Sequence, residues 1–367
     1  MAIRPFYIYA YRHLYLYGTI LFYVSQGLHI KTILFILSIF FDIIKVKGLD
    51  IMKKVVVLGG GTGLSVLLRG LKLFPVDITA IVTVADDGSS SGKLREEFNI
   101  PAVGDLRNVL VSLSSVEPMV EQLLQYRFNT NSDLNNHPMG NLLLTALYNI
   151  TGNLTDSLKA LSNILDIKGK ILPFTEDRAI LIAHTLDGDI IEGESNITKA
   201  GQKIDYIEYK NEVHATDDVI NAIKEADLVI LGIGSLYTSI IPNLLDEKVK
   251  EALIESKAKK MYVCNIMSEH GETDGFFVSD CIKQINRYVG TNFIDVVIAN
   301  SKYIDTDIQE LYLEEQSAPI LIDDKELKKM KVEVIKENLA SINNNQVRHD
   351  SIKTALAIFT YITKGDV

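Results

Sequence analysis

From Lys54 onward, short apolar runs alternate with stretches in which apolar residues recur at helical spacing, the order expected of an α/β domain built on a mainly parallel sheet. The apolar runs predict strands at Lys54–Leu58, Ile78–Val84, Ala179–Leu186, Leu228–Leu231, Met261–Asn265 and Asp295–Ala299. Helical periodicity marks Leu64–Lys72, Leu106–Leu113, Met119–Arg127, Asn141–Ile150, Leu154–Leu165, Asp217–Glu225 and Ser351–Ile362. The polar, Asn-rich stretch Asn129–Asn136 reads as an exposed loop. Nothing repeats at a fixed period and no long linker divides the body. Residues 52–367 therefore form one large domain, with Ile167–Tyr209 a strand-rich insertion or edge.

The first strand runs straight into Gly59-Gly60-Gly61-Thr62-Gly63, and a helical pattern follows at once. Glycine lets the backbone approach a ligand without a Cβ in the way. A helix start aims unpaired N–H groups and the positive dipole end at the same place. Strand, glycine turn and helix together predict a phosphate cradle at Gly60, Gly61, Thr62 and Gly63. A second cradle follows the strand Leu228–Leu231, at Gly234, Ser235, Thr238 and Asn243, with Ser239 a further hydroxyl donor. Ser235 and Thr238 also suit plain helix capping.

Composition fits a globular chain: 367 residues, 47% hydrophobic and 23% charged, enough to bury a large core. The net charge of −10 argues against nucleic acid as a partner and requires any anion to be held locally. Cys264 and Cys281 lack metal-ligand spacing and read as core thiols. Residues 1–51 behave differently. They hold six of the sixteen tyrosines and carry +3, leaving −13 to the rest. Two apolar runs there allow a membrane hairpin, though each is marginal and no signal-peptide cleavage site follows. The favoured expectation is that translation starts at Met52, where Met-Lys-Lys leads into a buried strand.

Other residues add chemistry. Asp86 and Asp87 close the second strand about where a dinucleotide fold places a ribose-binding carboxylate. They could instead hold Mg²⁺, or form a solvated turn. Val66 occupies the position of the third glycine in G-x-G-x-x-G, which weakens a nicotinamide reading. Gly88–Lys93 has neither the spacing nor the hydroxyl of a P-loop. In Gly104-Asp105-Leu106-Arg107-Asn108, Asp105 suits a helix cap, and Arg107 with Asn108 suits a phosphate. His137 and Asn141 flank another glycine. Asn265 ends a later strand, and Glu272 and Thr273 sit in the turn Gly271–Gly275, where an exposed acid is the commoner meaning. No Ser/His/Asp arrangement, H-E-x-x-H or activated cysteine is present, so any catalysis would work by positioning and electrostatics.

Taken together, Gly59–Gly63, Asp86-Asp87-Gly88, Gly104–Asn108, Gly140-Asn141, Gly234–Asn243 and Asn265–Thr273 resemble the CofD/YvcK family from about Lys53 to Ile362. Length, the early glycine run and the Gly-Glu-Thr turn look more like the YvcK branch, the gluconeogenesis factors, than the phospholactate transferases. The resemblance implies a Rossmann-like three-layer α/β sandwich in a cytoplasmic bacterial protein, and a homo-oligomer is a separate expectation. It implies a role in cell shape and in growth on gluconeogenic carbon, with a UDP-sugar such as UDP-N-acetylglucosamine as ligand. The transferase branch moves a phospholactyl group to a deazaflavin precursor with Mg²⁺, which makes that activity the alternative. The chain departs from YvcK-like sequences at Ser268-Glu269-His270, where a Thr-Gln-Pro-type stretch is usual.

Overall fold

The computed structural model describes residues 52–115 and 118–364. The expectations for residues 1–51 lie outside the described residues. In chain order the first half comprises β1 (Lys53–Gly59), α1 (Gly61–Leu71), β2 (Val76–Val82), α2 (Ser89–Phe98), α3 (Gly104–Leu113), α4 (Pro118–Gln125), α5 (Met139–Thr151), α6 (Leu154–Ile164) and β3 (Lys170–Pro173). An insertion follows, of β4 (Leu181–Thr185), β5 (Ile190–Glu192), α7 (Glu194–Ala200) and β6 (Ile204–Tyr209). The second half runs through α8 (Asp217–Glu225), β7 (Leu228–Leu231), α9 (Glu247–Glu255), β8 (Lys259–Val263), α10 (Val278–Val289), β9 (Val296–Asn300), α11 (Thr306–Glu314), α12 (Asp324–Lys329) and β10 (Glu333–Glu337). The hairpin β11 (Ala340–Asn343) and β12 (Gln346–His349) then leads into α13 (Ser351–Lys364).

The main sheet has the order β10-β9-β8-β7-β1-β2-β3, and every neighbouring pair is parallel. Its central strands are apolar on both faces because helices cover both: Val55–Leu58 and Leu228–Leu231 are buried throughout. The chain winds from β1 toward β3 in one direction and from β7 toward β10 in the other. Right-handed crossovers in the two halves place their helices on opposite faces, giving three layers. On one face α1 lies against α3 and α13, so close that a Cβ at Gly70 would stand 1.9 Å from the Ser351 carbonyl oxygen.

Two expectations change. Ala179–Leu186 is a strand, but not of the main sheet: β4 pairs antiparallel with β5 and β6 in a separate three-stranded sheet. Ile167–Tyr209 is therefore both things named for it, since β3 forms the edge of the main sheet and β4 to β6 the insertion. β2 also ends two residues early, at Val82, and the Thr83 amide makes the last ladder bond to the Gly59 carbonyl at 3.0 Å.

Candidate functional site

The two halves of the sheet diverge between β1 and β7, and this switch point leaves a crevice at the carboxyl ends of the strands. Both glycine loops open there and lie against each other. A Cβ on Gly63 would sit 2.6 Å from the Ile233 carbonyl oxygen, and one on Gly234 3.3 Å from that of Gly60. Gly61 has φ +67°, a conformation that a side chain would strain. Asn265, just past β8, fastens the second loop with its amide: Gly234 N–H donates to Oδ1 at 3.3 Å and Nδ2 donates to the Gly234 carbonyl at 3.0 Å. The two glycine loops thus share one rim.

Four helices start at or beside this rim without a side-chain cap: α1 after Gly60, α2 after Gly88, α3 after Val103 and α5 after Pro138. Gly104 brings α3 against α2 and the end of β2, for a Cβ there would lie 2.3 Å from Ser91 Oγ and 2.5 Å from Asp86 Oδ2. Ser89 opens α2 with φ +42°, uncommon for a residue with a side chain and a mark of backbone held for a purpose. Between α2 and α5, Asn141 Nδ2 donates to Ser90 Oγ at 3.1 Å, and Ser90 Oγ lies 2.8 Å from His137 Nδ1.

Asp105 does not cap its own helix. Its Oδ2 accepts the Gly61 N–H at 2.6 Å, so a carboxylate of α3 occupies the first amide of α1. The Asp86-Asp87 pair is divided as well. Asp86 Oδ1 accepts the Gly88 N–H at 2.9 Å while Oδ2 faces Gly104. Asp87 turns away: its Oδ1 accepts the Ser195 N–H at 2.8 Å, anchoring α7 and the inserted sheet beside the site. Arg107 is buried, donates to Asn108 Oδ1 at 2.7 Å and keeps an unpartnered Nε.

Ser235 to Leu244 forms a π turn and a 3₁₀ turn rather than a regular helix, a wide geometry often found at functional sites. Glu272 is buried, against the expectation of an exposed acid, and it holds the π turn. It accepts the Tyr237 N–H at 2.8 Å and the Thr238 hydroxyl at 3.1 Å. Neither Ser235 nor Thr238 makes a capping hydrogen bond of its own. Thr273 Oγ1 accepts the Glu269 N–H at 2.9 Å, and Asn243 Nδ2 donates to the Ser239 carbonyl at 2.9 Å. Thus Asn243, Glu272 and Thr273 brace the second cradle from behind, while Gly60 to Gly63, Asp86, Gly234 and Asn265 meet at the rim.

Sequence reasoning passed over Glu194, Glu269 and Ser90, and gave Asp105 the wrong role. Glu194 is far from Asp86 in the chain and arrives only because the insertion folds back. The carboxylates crowd: burial, with the charge of Asp86 second, raises Asp105 to about 7 and Glu194 to about 8. Burial also raises Glu269, whose partner is the Ser235 hydroxyl, and Glu272, which Glu269 further opposes. His137 is pushed down, by burial first and Lys93 second. Among the described residues no group of three or more His, Cys, Asp or Glu side chains is placed to hold a metal ion, and Asp87 is committed to α7.

The comparisons with known proteins agree with this architecture. The sequence pattern of the family described as 2-phospho-L-lactate transferase CofD matches residues 55–340. The gluconeogenesis factor of Bacillus subtilis (strain 168) is 48% identical over 303 residues, covering 82% of this chain and 96% of that protein. That of Halalkalibacterium halodurans is 44% identical over 307 residues, 83% of this chain and 95% of the relative. A crystal structure from Bacillus halodurans, described as a member of the upf0052 family, superposes with TM-score 0.81 at 44% identity, covering 84% of this chain and 99% of that one.

Proposed function

Because this chain belongs to the CofD family, we propose that it acts as a gluconeogenesis factor: a cytoplasmic, homo-oligomeric regulator that binds a UDP-sugar and links it to gluconeogenic growth and cell shape. The observation that carries the ligand class is the junction of two glycine loops with uncapped helix starts at the sheet's switch point. Amides of Thr62 and Gly63, which have no upstream helical acceptor, would take the diphosphate oxygens. Arg107 would neutralise charge from α3. Among the described residues no helix is long and apolar enough to cross a membrane.

Asp86, Asp105 and Glu194 crowd the site, and with Asp105 at about 7 and Glu194 at about 8 a diphosphate would enter beside carboxylates that hold protons or with a divalent cation. Asp86 and Asp105 would anchor such a cation, with ligand phosphate oxygens completing the shell, rather than Asp87, whose second oxygen faces Gly193 of the insertion. A bound Mg²⁺ would supply charge neutralisation. The same acidity favours the second reading, a phospholactate-type transferase acting on a deazaflavin-like acceptor, in which these residues position the phosphoryl group.

Calorimetric titration with UDP-N-acetylglucosamine, with and without Mg²⁺, tests the first reading. Saturable heat supports it, and no heat at millimolar ligand with a folded protein removes it. Product formation from a deazaflavin acceptor would favour the second.

A further inference from the structure

A cavity of about 710 Å³ lies along α2, outside the glycine crevice, walled by Asp87, Gly92, Lys93, Glu97, Asp133 and His137 among others. It shares that helix with the phosphate site. Ser90 and Ser91 in the first turn of α2 have opposite duties: Ser91 Oγ and Asp86 Oδ2 crowd Gly104 at the head of α3, whereas Ser90 Oγ meets His137. Asp86 and Asp87 are likewise divided between the crevice and the cavity wall. A ligand whose phosphates rest on the glycine loops thus has a second recess one helix turn away.

The hydrogen-bond network around Ser90 bears on what His137 offers that recess. Asn141 Nδ2 donates to Ser90 Oγ, which lies 2.8 Å from His137 Nδ1, a pair in which either atom can be the donor. With the serine donating, Nδ1 is the acceptor and the neutral ring carries its proton on Nε2. Burial and the nearby Lys93 favour that neutral form. Nε2 has no partner among the described residues, and His137 lines the cavity, so the ring edge left for a ligand is Nε2, an N–H donor when the serine donates to Nδ1. Asn141, itself buried, leaves Oδ1 without a donor. Unmet hydrogen-bonding capacity thus remains on both sides of Ser90.

The rest of the wall sets the ligand class. Four carboxylates, Asp87, Glu96, Glu97 and Asp133, line the wall with one ammonium, Lys93, and of the four Glu96 is paired with Arg178. A second phosphate would be repelled. Hydroxyl groups suit the wall, because they donate to carboxylates and accept from an imidazole N–H and an ammonium. The volume falls in the ordinary range for a small-molecule recess.

We propose that this cavity is the subsite for a neutral, polyhydroxylated group, the sugar of the nucleotide sugar, with His137 Nε2–H, Lys93 and Asp133 as its recognising groups. The assignment rests on the nucleotide-sugar reading of the neighbouring crevice, and its test separates the two. UDP and UDP-N-acetylglucosamine are titrated calorimetrically into wild type, His137→Asn and Asp133→Ala. The asparagine of H137N retains an acceptor for Ser90 but lacks the distal donor, and Asp133 is on the exposed loop, so both variants should fold, as thermal unfolding verifies. Wild type is expected to bind the sugar nucleotide at least about tenfold tighter than UDP, and each variant to lose most of that ratio. Equal affinities in wild type, or a ratio unmoved in both variants, overturn the subsite while UDP binding leaves the crevice intact. Failure of both ligands to bind wild type removes the crevice reading and the subsite with it.

Discussion

The helices of this protein begin in two different ways. α6, α8 and α9 are closed by their own side chains: Asn153 accepts the Asp156 N–H at 2.7 Å, Thr216 that of Val219 at 3.4 Å, and Asp246 that of Val249 at 3.0 Å. α6 goes further, for Glu176 takes the Leu154 and Thr155 amides at 2.7 and 2.8 Å. α1, α2, α3 and α5, which meet at the switch point, follow Gly60, Gly88, Val103 and Pro138, none of which makes a side-chain cap. Capping is worth about 1 kcal/mol per helix; α7, α11 and α12 also start without a side-chain cap, and what sets α1, α2, α3 and α5 apart is that their open starts gather in one place. Amides left open at one rim are available to a ligand, whereas those of α6 are already satisfied.

The largest expected effect comes from separating the two loops. Gly63→Ala drives a methyl into the Ile233 backbone, which has no side-chain freedom to yield. UDP-sugar affinity should fall by about a hundredfold or more, with roughly 2 kcal/mol of stability lost in denaturant titration. A Gly63→Ala variant that binds normally would sever the link between the loops and the ligand.

Next in size is a pH effect peculiar to the rim. Asp105 and Glu194 hold protons more tightly in the folded chain, at about 7 and about 8 against 3.8 and 4.5. Below about pH 4 both states are protonated and nothing is lost; as pH rises toward 8 the folded state alone resists ionising, so ligand-free stability falls. Asp105→Asn with Glu194→Gln should remove most of that decline, measured by urea unfolding across pH. A pH profile identical to wild type would contradict the crowding of carboxylates.

On the other side of the comparison, Asn153→Ala should cost about 1 kcal/mol in the same assay and leave UDP-sugar binding as it was. The smallest effect is the converse. Gly88→Ser supplies α2 with a cap at an extended position whose nearest neighbours, Ser195 Oγ and Asp86 Oδ1, are side-chain atoms. A few tenths of a kcal/mol should be gained and ligand affinity reduced several-fold, because the new hydroxyl competes for the open amides. Tighter binding instead would argue that these amides are not ligand groups.

Much of this was legible in the chain. Strands β1, β2, β7, β8 and β9 announce themselves because burial on both faces makes them largely apolar. β10, Glu-Val-Ile-Lys-Glu at the sheet edge, carries no such signal, and β3 begins with lysine and ends in proline. α10 has a clear apolar stripe of Val278, Cys281, Ile282, Ile285 and Val289, and is a plain omission of the sequence reading. α2 was hidden by its Ser-Ser-Ser-Gly start, a composition that belongs to turns and serves here to expose amides. At the site, the glycine loops were readable because backbone geometry dictates residue type locally. The partners of Asp87, Asp105 and Glu272 were not, since each carboxylate reaches an amide from 35 to 108 positions away, and only the folded topology selects it.

Open main-chain amides at the switch point are what would grip the diphosphate. Amide ¹H–¹⁵N correlation spectra of the labelled protein, recorded while UDP is added, address this grip at single-residue level. The largest downfield shifts are expected at Thr62, Gly63 and the first turn of α2, with the first turn of α6 unmoved. Saturable shifts confined to any other region, with the glycine loops silent, would overturn it.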